Sequence, residues 1–344
     1  MSRRIDTAEF NYEHFISWDN LFQAWNEFKI GKRKKEDVML FERYLETNIF
    51  NLQLALKDKT YQHGTYQSFY VQDPKLRHIH KAQVSDRVVH HLLYQFLYGL
   101  YDKTFIYDSY SCRLNKGTHK AVERLVYFTR KISRNYTQFC WVLKLDIKKF
   151  FANVDHEILL ELLQRTIKNK DIIWLLSQVI HSFQSDQGEG KGIPLGNLTS
   201  QVFANIYMNE LDQFIKHALR IKYYIRYADD FLVIANNKED LNNLIGPIRL
   251  FLQNHLKLEL HPNKIILRKL EWGIDFLGYV VLPHYILPRT KTKRRVFTKL
   301  KAKIGSESFN QSLQSYLGYL SHANSFRLTQ RLKNQIWLWK GEDH

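Results

Sequence analysis

Three aspartates stand where chemistry with metal ions is feasible. Asp146 ends an apolar run, and Asp229-Asp230 sit together inside Tyr227-Ala228-Asp229-Asp230-Phe231. Carboxylates placed where hydrophobic strands end are poorly hydrated and repel one another unless they share a cation. Two hard divalent ions held by such a set can activate a hydroxyl and stabilise a departing pyrophosphate. Taken alone, an Asp-Asp pair is more often a polar turn, so the surrounding elements must decide. Other candidates are weaker. His78 and His80, and the pair His90-His91, have no matching Cys/His set, so packed or surface roles are expected for them. Cys112 and Cys140 have no base beside them and are too few for a disulfide framework or a four-thiolate zinc site. A reducing compartment suits them.

The elements that must position these aspartates can be read from periodicity. Segment 14–60 reads as helix, with Trp18, Leu21, Phe22 and Trp25 at helical spacing. Short strands are expected at 66–71 and 77–80. Asp86 is expected to cap a helix running to about residue 100, with Val88, Val89, Leu92, Leu93, Phe96 and Leu97 as its buried stripe. A second helix is expected at 118–134. In 139–147, Phe139, Trp141, Leu143, Leu145 and Ile147 alternate onto one strand face; Cys140, Val142, Lys144 and Asp146 take the other. A helix over 155–167, a loop over 188–196 and a long helix from about residue 199 follow. Residues 223–235 read as strand, tight turn and strand, with Asp229-Asp230 at the tip. A helix at 241–256, a hairpin at 276–282 and a basic helical segment from about residue 291 complete the chain. Strands interleaved with helices imply an α/β or α+β core with a helical C-terminal appendage.

With these elements placed, four segments in order carry a resemblance. LDIKKFFANVDH (145–156), GIPLGNLTSQVFANIY (192–207), IRYADDFLVI (225–234) and Phe276-Leu277-Gly278-Tyr279 resemble the reverse transcriptase family's first catalytic motif, nucleotide-binding loop and helix, active-site hairpin and primer grip. Upstream, Arg77 and Asp86-Arg87 fit its fingers. The resemblance implies an α+β right-hand polymerase. Residues 1–65 would be a helical extension and the start of the fingers, and 66–135 the fingers. Residues 136–282 would be the palm, with a fingers-like insertion near 160–200, and 283–344 a small basic thumb.

Carried over by motif, Asp146, Asp229 and Asp230 would be the catalytic carboxylates and metal ligands, with the Ile147 carbonyl as a further ligand. The cofactor implied is two Mg²⁺ ions, for which Mn²⁺ can substitute. Phe151, five residues after Asp146, would be the steric gate against a ribonucleotide's 2′-hydroxyl, beside Phe150. Arg77 and Lys75 would meet the incoming triphosphate, a role that suits a guanidinium, and Lys264 would lie near it. Leu195, Gly196 and Gln201 would line the nucleotide site. Here the chain departs from the common pattern: Leu195-Gly196 stands where most members have Gln-Gly, and Ser200-Gln201 where they have Ser-Pro. That variant, with YSCRLNKGTHKAV (110–122) and LGYLSHAN (317–324), resembles the reverse transcriptases of diversity-generating retroelements. A Gln can hydrogen-bond around the nascent pair, whereas Leu195 offers shape alone, so discrimination between nucleotides narrows. Errors concentrated at template adenines agree with that subgroup.

Composition bounds the rest. The 344 residues carry 51 Lys+Arg against 34 Asp+Glu, a net +17 that attracts polyanions in a salt-dependent way. Twenty Tyr, 22 Phe and 7 Trp, many close to basic residues, add stacking capacity for single strands. Hydrophobic residues at 44% and charged residues at 25% are ordinary for two or three globular units. No apolar run approaches the roughly 18 residues that span a bilayer, and residues 1–6 lack a signal-peptide core; no membrane role is expected. After the 276–282 hairpin only about 60 residues remain, too few for a nuclease domain of about 100. The implied partners are template RNA and the RNA/DNA hybrid, dNTPs and a small basic accessory protein, in a bacterial, archaeal or phage-encoded cytoplasmic setting. Rival readings are a retron or phage-defence reverse transcriptase, and a catalytically silent RNA-binding scaffold.

Overall fold

The computed structural model describes residues 11–72 and 75–342; the N-terminal stretch 1–6 discussed above lies outside them. The fold is α+β, and the chain divides into two compact units between which it passes repeatedly. The first comprises Met1–Tyr107, Ile147–Arg220 and Ile248–Leu260; the second comprises Asp108–Asp146, Ile221–Pro247 and His261–His344. Helix Lys238–Leu256 carries Pro247 inside it, where the partition changes; a proline there removes one backbone donor from the helical ladder.

In the first unit, helices Trp18–Lys29, Glu36–Arg43 and Leu45–Lys57 precede an antiparallel hairpin of β1 (Gln67–Gln72) and β2 (Leu76–Lys81). Leu21, Trp25 and Phe28 are wholly buried on one stripe of their helix. Helix Val84–Tyr101 follows with the expected stripe buried, except that Phe96 is only half-buried. Asp86 is not its cap: Gln83 holds that position. Asp86 lies inside the first turn, buried, and accepts hydrogen bonds from the Tyr61 hydroxyl (2.7 Å) and Gly64 N–H (3.1 Å). His90 is likewise interior, its Nε2 3.0 Å from His63 Nε2. Helix Lys170–His181, which the sequence reading passed over, is capped by Asn169 through the N–H groups of Asp171 and Ile172. Helix His156–Thr166 is capped by Asp155, which accepts from Ile158 N–H.

The second unit is built on a four-stranded antiparallel sheet. In spatial order its strands are β4 (Tyr224–Tyr227), β5 (Asp230–Ala235), β3 (Trp141–Asp146) and β6 (Ile266–Lys269). β3 is shorter than the 139–147 read from alternation, because β5 pairs it only from Trp141 to Asp146. Beyond that ladder Phe139 is exposed. Helix Thr118–Ile132 covers the sheet face carrying Val142, Leu232 and Ile234 with Ala121, Leu125 and Phe128. A second sheet of β7 (Ile274–Phe276), β8 (Tyr279–Leu282) and β9 (Tyr285–Pro288) follows. Helices Thr290–Lys301, Phe309–Ser321 and Phe326–Glu342 then share a core of Val296, Leu300, Leu320, Leu332 and Trp339.

Candidate active site

Antiparallel register places the carboxylates. Asp146, the last residue of β3, is the register partner of Asp230, the first of β5, and Tyr227 closes β4 against the same Asp230. The β4–β5 turn is the pair Ala228-Asp229, and Ala228 takes a left-handed φ of 54°. A non-glycine residue is uncommon there, and such backbone strain clusters at functional sites. Beneath the turn lies Arg226, fully buried, whose guanidinium donates to the Ala228 carbonyl at 3.2 Å. Its own backbone is held on both sides, by Asp108 O and Tyr110 N–H.

Two lysines meet the carboxylates. Lys264 Nζ lies 2.7 Å from Asp146 Oδ1, and Lys144 Nζ lies 3.0 Å from Asp230 Oδ2. Lys144 also donates to the Asp275 carbonyl at 3.0 Å, so it ties Asp230 to the β7–β8 hairpin. Burial pushes the Asp230 carboxyl up to about 6, and the charges of Asp146 and Asp229 add to it while Lys144 opposes it. Asp230 Oδ1 is buried and has no hydrogen-bond partner. An orphaned carboxylate oxygen beside two further carboxylates is the donor set a hard divalent cation takes, so these residues fit Mg²⁺. Among the described residues no three acidic, imidazole or thiolate groups already enclose one point. The sequence reading missed the contact of Lys144 with Asp230, although it put Lys144 on the Asp146 face of the strand, two residues away.

The Phe276–Tyr279 hairpin is also in this unit. Phe276 and Tyr279 are core residues, and the turn residues Leu277 and Gly278 are half-buried, both having positive φ (50° and 94°). That is the mirror-image turn that matches strand twist. Tyr319 donates from its hydroxyl to the Gly278 carbonyl, while Tyr279 donates to the Tyr319 carbonyl at 2.8 Å and stacks on its ring.

The first unit holds the remaining candidates. The loop at Leu195 is fastened to β2: His80 N–H donates to Leu195 O (2.9 Å) and Asn197 Nδ2 to His80 O (2.7 Å). Gly196 has φ 107°, and a Cβ there would lie 2.7 Å from Ile79 Cγ2. Only glycine fits this crossing. Ile193 N–H donates to Phe151 O at 2.8 Å, which brings the Phe151 backbone to the same loop. Phe151 is half-buried, but Phe150 is buried at 2% exposure against Phe151 and Tyr207. The structure thus places the Phe150 ring in the core, behind Phe151. Arg77 on β2, Lys75 just before it and Gln201 are exposed. Ile147 is buried and bridges Leu260.

The chain is similar to known proteins. Residues 71–281 match the family model described as reverse transcriptase (RNA-dependent DNA polymerase). Among curated proteins the chain is similar to the group II intron-encoded protein LtrA of Lactococcus lactis subsp. cremoris. They are 22% identical over 370 residues, covering 88% of this chain and 58% of that protein. It is also similar to protein YkfC of Escherichia coli K12, 24% identical and covering 60% of this chain and 63% of that one. Among solved structures it is similar to telomerase of Candida albicans in complex with a telomeric RNA fragment (TM-score 0.51, 11% identity, 88% of this chain, 64% of that one). Apo telomerase of Candida tropicalis gives a TM-score of 0.53 at 13% identity, covering 80% and 57%. At such identities the structural likeness shows the fold, a right-hand polymerase core of α+β type. The chain spans less than two thirds of the length of these relatives. With its family model covering more than half the chain and carboxylates opposed at the strand ends, the protein belongs to the reverse transcriptase family.

Proposed function

We propose that this chain is an RNA-directed DNA polymerase that copies a template RNA into cDNA, and that it serves the mutagenic copying of a diversity-generating retroelement. The observation that carries the polymerase reading is the β3–β5 register, which sets Asp146 opposite Asp230 with Asp229 in the adjoining turn. Asp146, Asp229 and Asp230, with the Ile147 carbonyl, would hold two divalent ions. When bound, Mg²⁺ or Mn²⁺ supplies activation of the primer 3′-hydroxyl and charge neutralisation at the leaving pyrophosphate. Lys144 holds one oxygen of Asp230 and leaves the other for ligation. Lys264, Arg77 and Lys75 offer positive charge to the triphosphate. Phe151 excludes a 2′-hydroxyl by bulk. Leu195, Gly196 and Gln201 shape the pocket for the nascent pair, and the Leu277-Gly278 turn supports the primer. A small basic accessory protein and a structured RNA complete the assembly.

The mutagenic reading rests on Leu195, which replaces a hydrogen-bonding side chain by shape. A second reading, a reverse transcriptase of intron or retron type that copies without this error pattern, draws support from the intron-encoded relatives. The test is Mg²⁺-dependent primer extension on an RNA template, with accessory protein and RNA added where the chain alone is silent, and with the cDNA sequenced. Asp229→Ala should lower extension by at least about a hundredfold, the scale seen when transition-state charge loses a dedicated partner. Errors rich opposite adenine support the retroelement; a product free of that bias favours the second reading. No product under any condition, with RNA binding intact, would leave a scaffold.

A further inference from the structure

In the second unit, away from the carboxylates in sequence, a groove of about 670 Å³ opens between β9 and the loop 323–328 that starts the last helix. Its volume is within the range of small-ligand sites. Two large rings line it, Tyr285 and Phe326, and they are 58% and 76% exposed, unlike the buried aromatics of the neighbouring core. Two cations, Lys293 and Arg327, line it as well, with no carboxylate among the described lining residues. The wider setting has the same sign: between residues 283 and 335 the one acidic residue is Glu307.

The groove is also held open. Asn324 bonds the β9 backbone twice, its N–H to Ile286 O (2.7 Å) and its Oδ1 from Ile286 N–H (2.8 Å). Ser325, buried, donates from Oγ to Leu320 O at 2.6 Å. These bonds fix the loop against the strand, so Tyr285 on β9 and Phe326 on the loop are carried by backbone tied together at Ile286 and Asn324.

Exposed aromatic rings beside cations, in a surrounding field of one sign, fit a ligand with flat faces and regularly spaced negative charge. We propose that this groove is a binding site for an unpaired segment of RNA, with bases stacked on Tyr285 and Phe326 and phosphates on Lys293 and Arg327. The proposal rests on the reading of the chain as a polymerase that handles RNA, and it adds a site for single strand outside the catalytic hairpin. Base–aromatic stacking is tolerant of sequence, so the site selects for unpaired character and not for a base order.

The test uses the full chain and a fluorescent single-stranded RNA of about 12 nucleotides, titrated at several salt concentrations. Tyr285→Ala with Phe326→Ala should weaken binding about tenfold or more. Tyr285→Phe with Phe326→Trp should restore it. Lys293→Gln with Arg327→Gln should flatten the salt slope by about 1.4, the contribution of two phosphates in a single strand. Primer extension on a short preformed RNA/DNA duplex should be unchanged by the ring variants. Since both rings are exposed, melting temperatures should not move, which separates binding loss from misfolding. Unchanged affinity for single strand in the ring variants would overturn the proposal. So would a loss confined to duplex or to an added peptide. If extension fails for the parent protein while the single-strand effect holds, the groove stands and the polymerase reading falls.

Discussion

In the proposed chemistry, Leu195 and Lys144 are the residues that invite a test beyond the aspartates themselves. The aspartates were legible because motif and strand end coincide, whereas the Lys144–Asp230 contact was not. It joins residues 86 apart in sequence and depends on β3–β5 register, which alternation alone leaves open. Leu195 was legible as a departure from pattern, and its consequence can be measured. Leu195→Gln introduces a group able to make one additional hydrogen bond to the correct pair, worth about 1 kcal/mol net. Misincorporation opposite adenine should then fall about fivefold, read by cDNA sequencing at fixed dNTP. An unchanged error spectrum would mean that Leu195 only packs.

At the scale of elements, most helices and strands follow from periodicity and caps, and the departures have local causes. β3 stops at Trp141 and Asp146 because its ladder partner does, whatever the alternation beyond. Asp86 looked like a cap, but two donors, Tyr61 and Gly64, hold it inside the helix; both lie over twenty residues upstream, where no local rule reaches. The crossing of the Leu195 loop over β2 gives a sharper expectation. Gly196→Ala adds a Cβ 2.7 Å from Ile79 Cγ2 at a φ of 107°. The cost should exceed about 1 kcal/mol, read as a lower melting temperature and faster exchange of the His80 amide. Adding Ile79→Ala should relieve the contact but not the backbone strain, so recovery should be partial. Full recovery would show that space alone demands glycine there.

For the whole molecule, the consecutive division into fingers, palm and thumb remains a functional proposal. The chain's compact units are interleaved, because strands far apart in sequence share one sheet. A reading along the chain cannot see that return. The interior also sets how the protein meets acid. His90 is buried, and burial first, then its neighbours His63, His91 and Arg87, hold it well below its usual value. Burial first, then Lys32, likewise pushes His91 down to about 4. An unfolded chain protonates both near 6.5 while the folded one does not, so stability is present above that pH and lost below it. Urea unfolding should show stability falling below pH 6.5 by about 1.4 kcal/mol per unit from His90, with a smaller, solvent-screened share from His91. His90→Gln should reduce that slope even where it lowers the baseline. A slope unaltered by the substitution would place the acid sensitivity elsewhere.

The double bond of Asn324 to Ile286 reaches past the groove it shapes. β9 is the last strand of its sheet, and an open strand edge invites pairing with a sister molecule. With Ile286 satisfied by a side chain and a loop amide, that edge is closed at its middle. The outer edge of β4 is closed in the same way, by residues 108–110 on Arg226. An edge left open would offer a second copy a row of unpaired N–H and C=O groups. Both closures occupy backbone groups that a second copy could otherwise pair with.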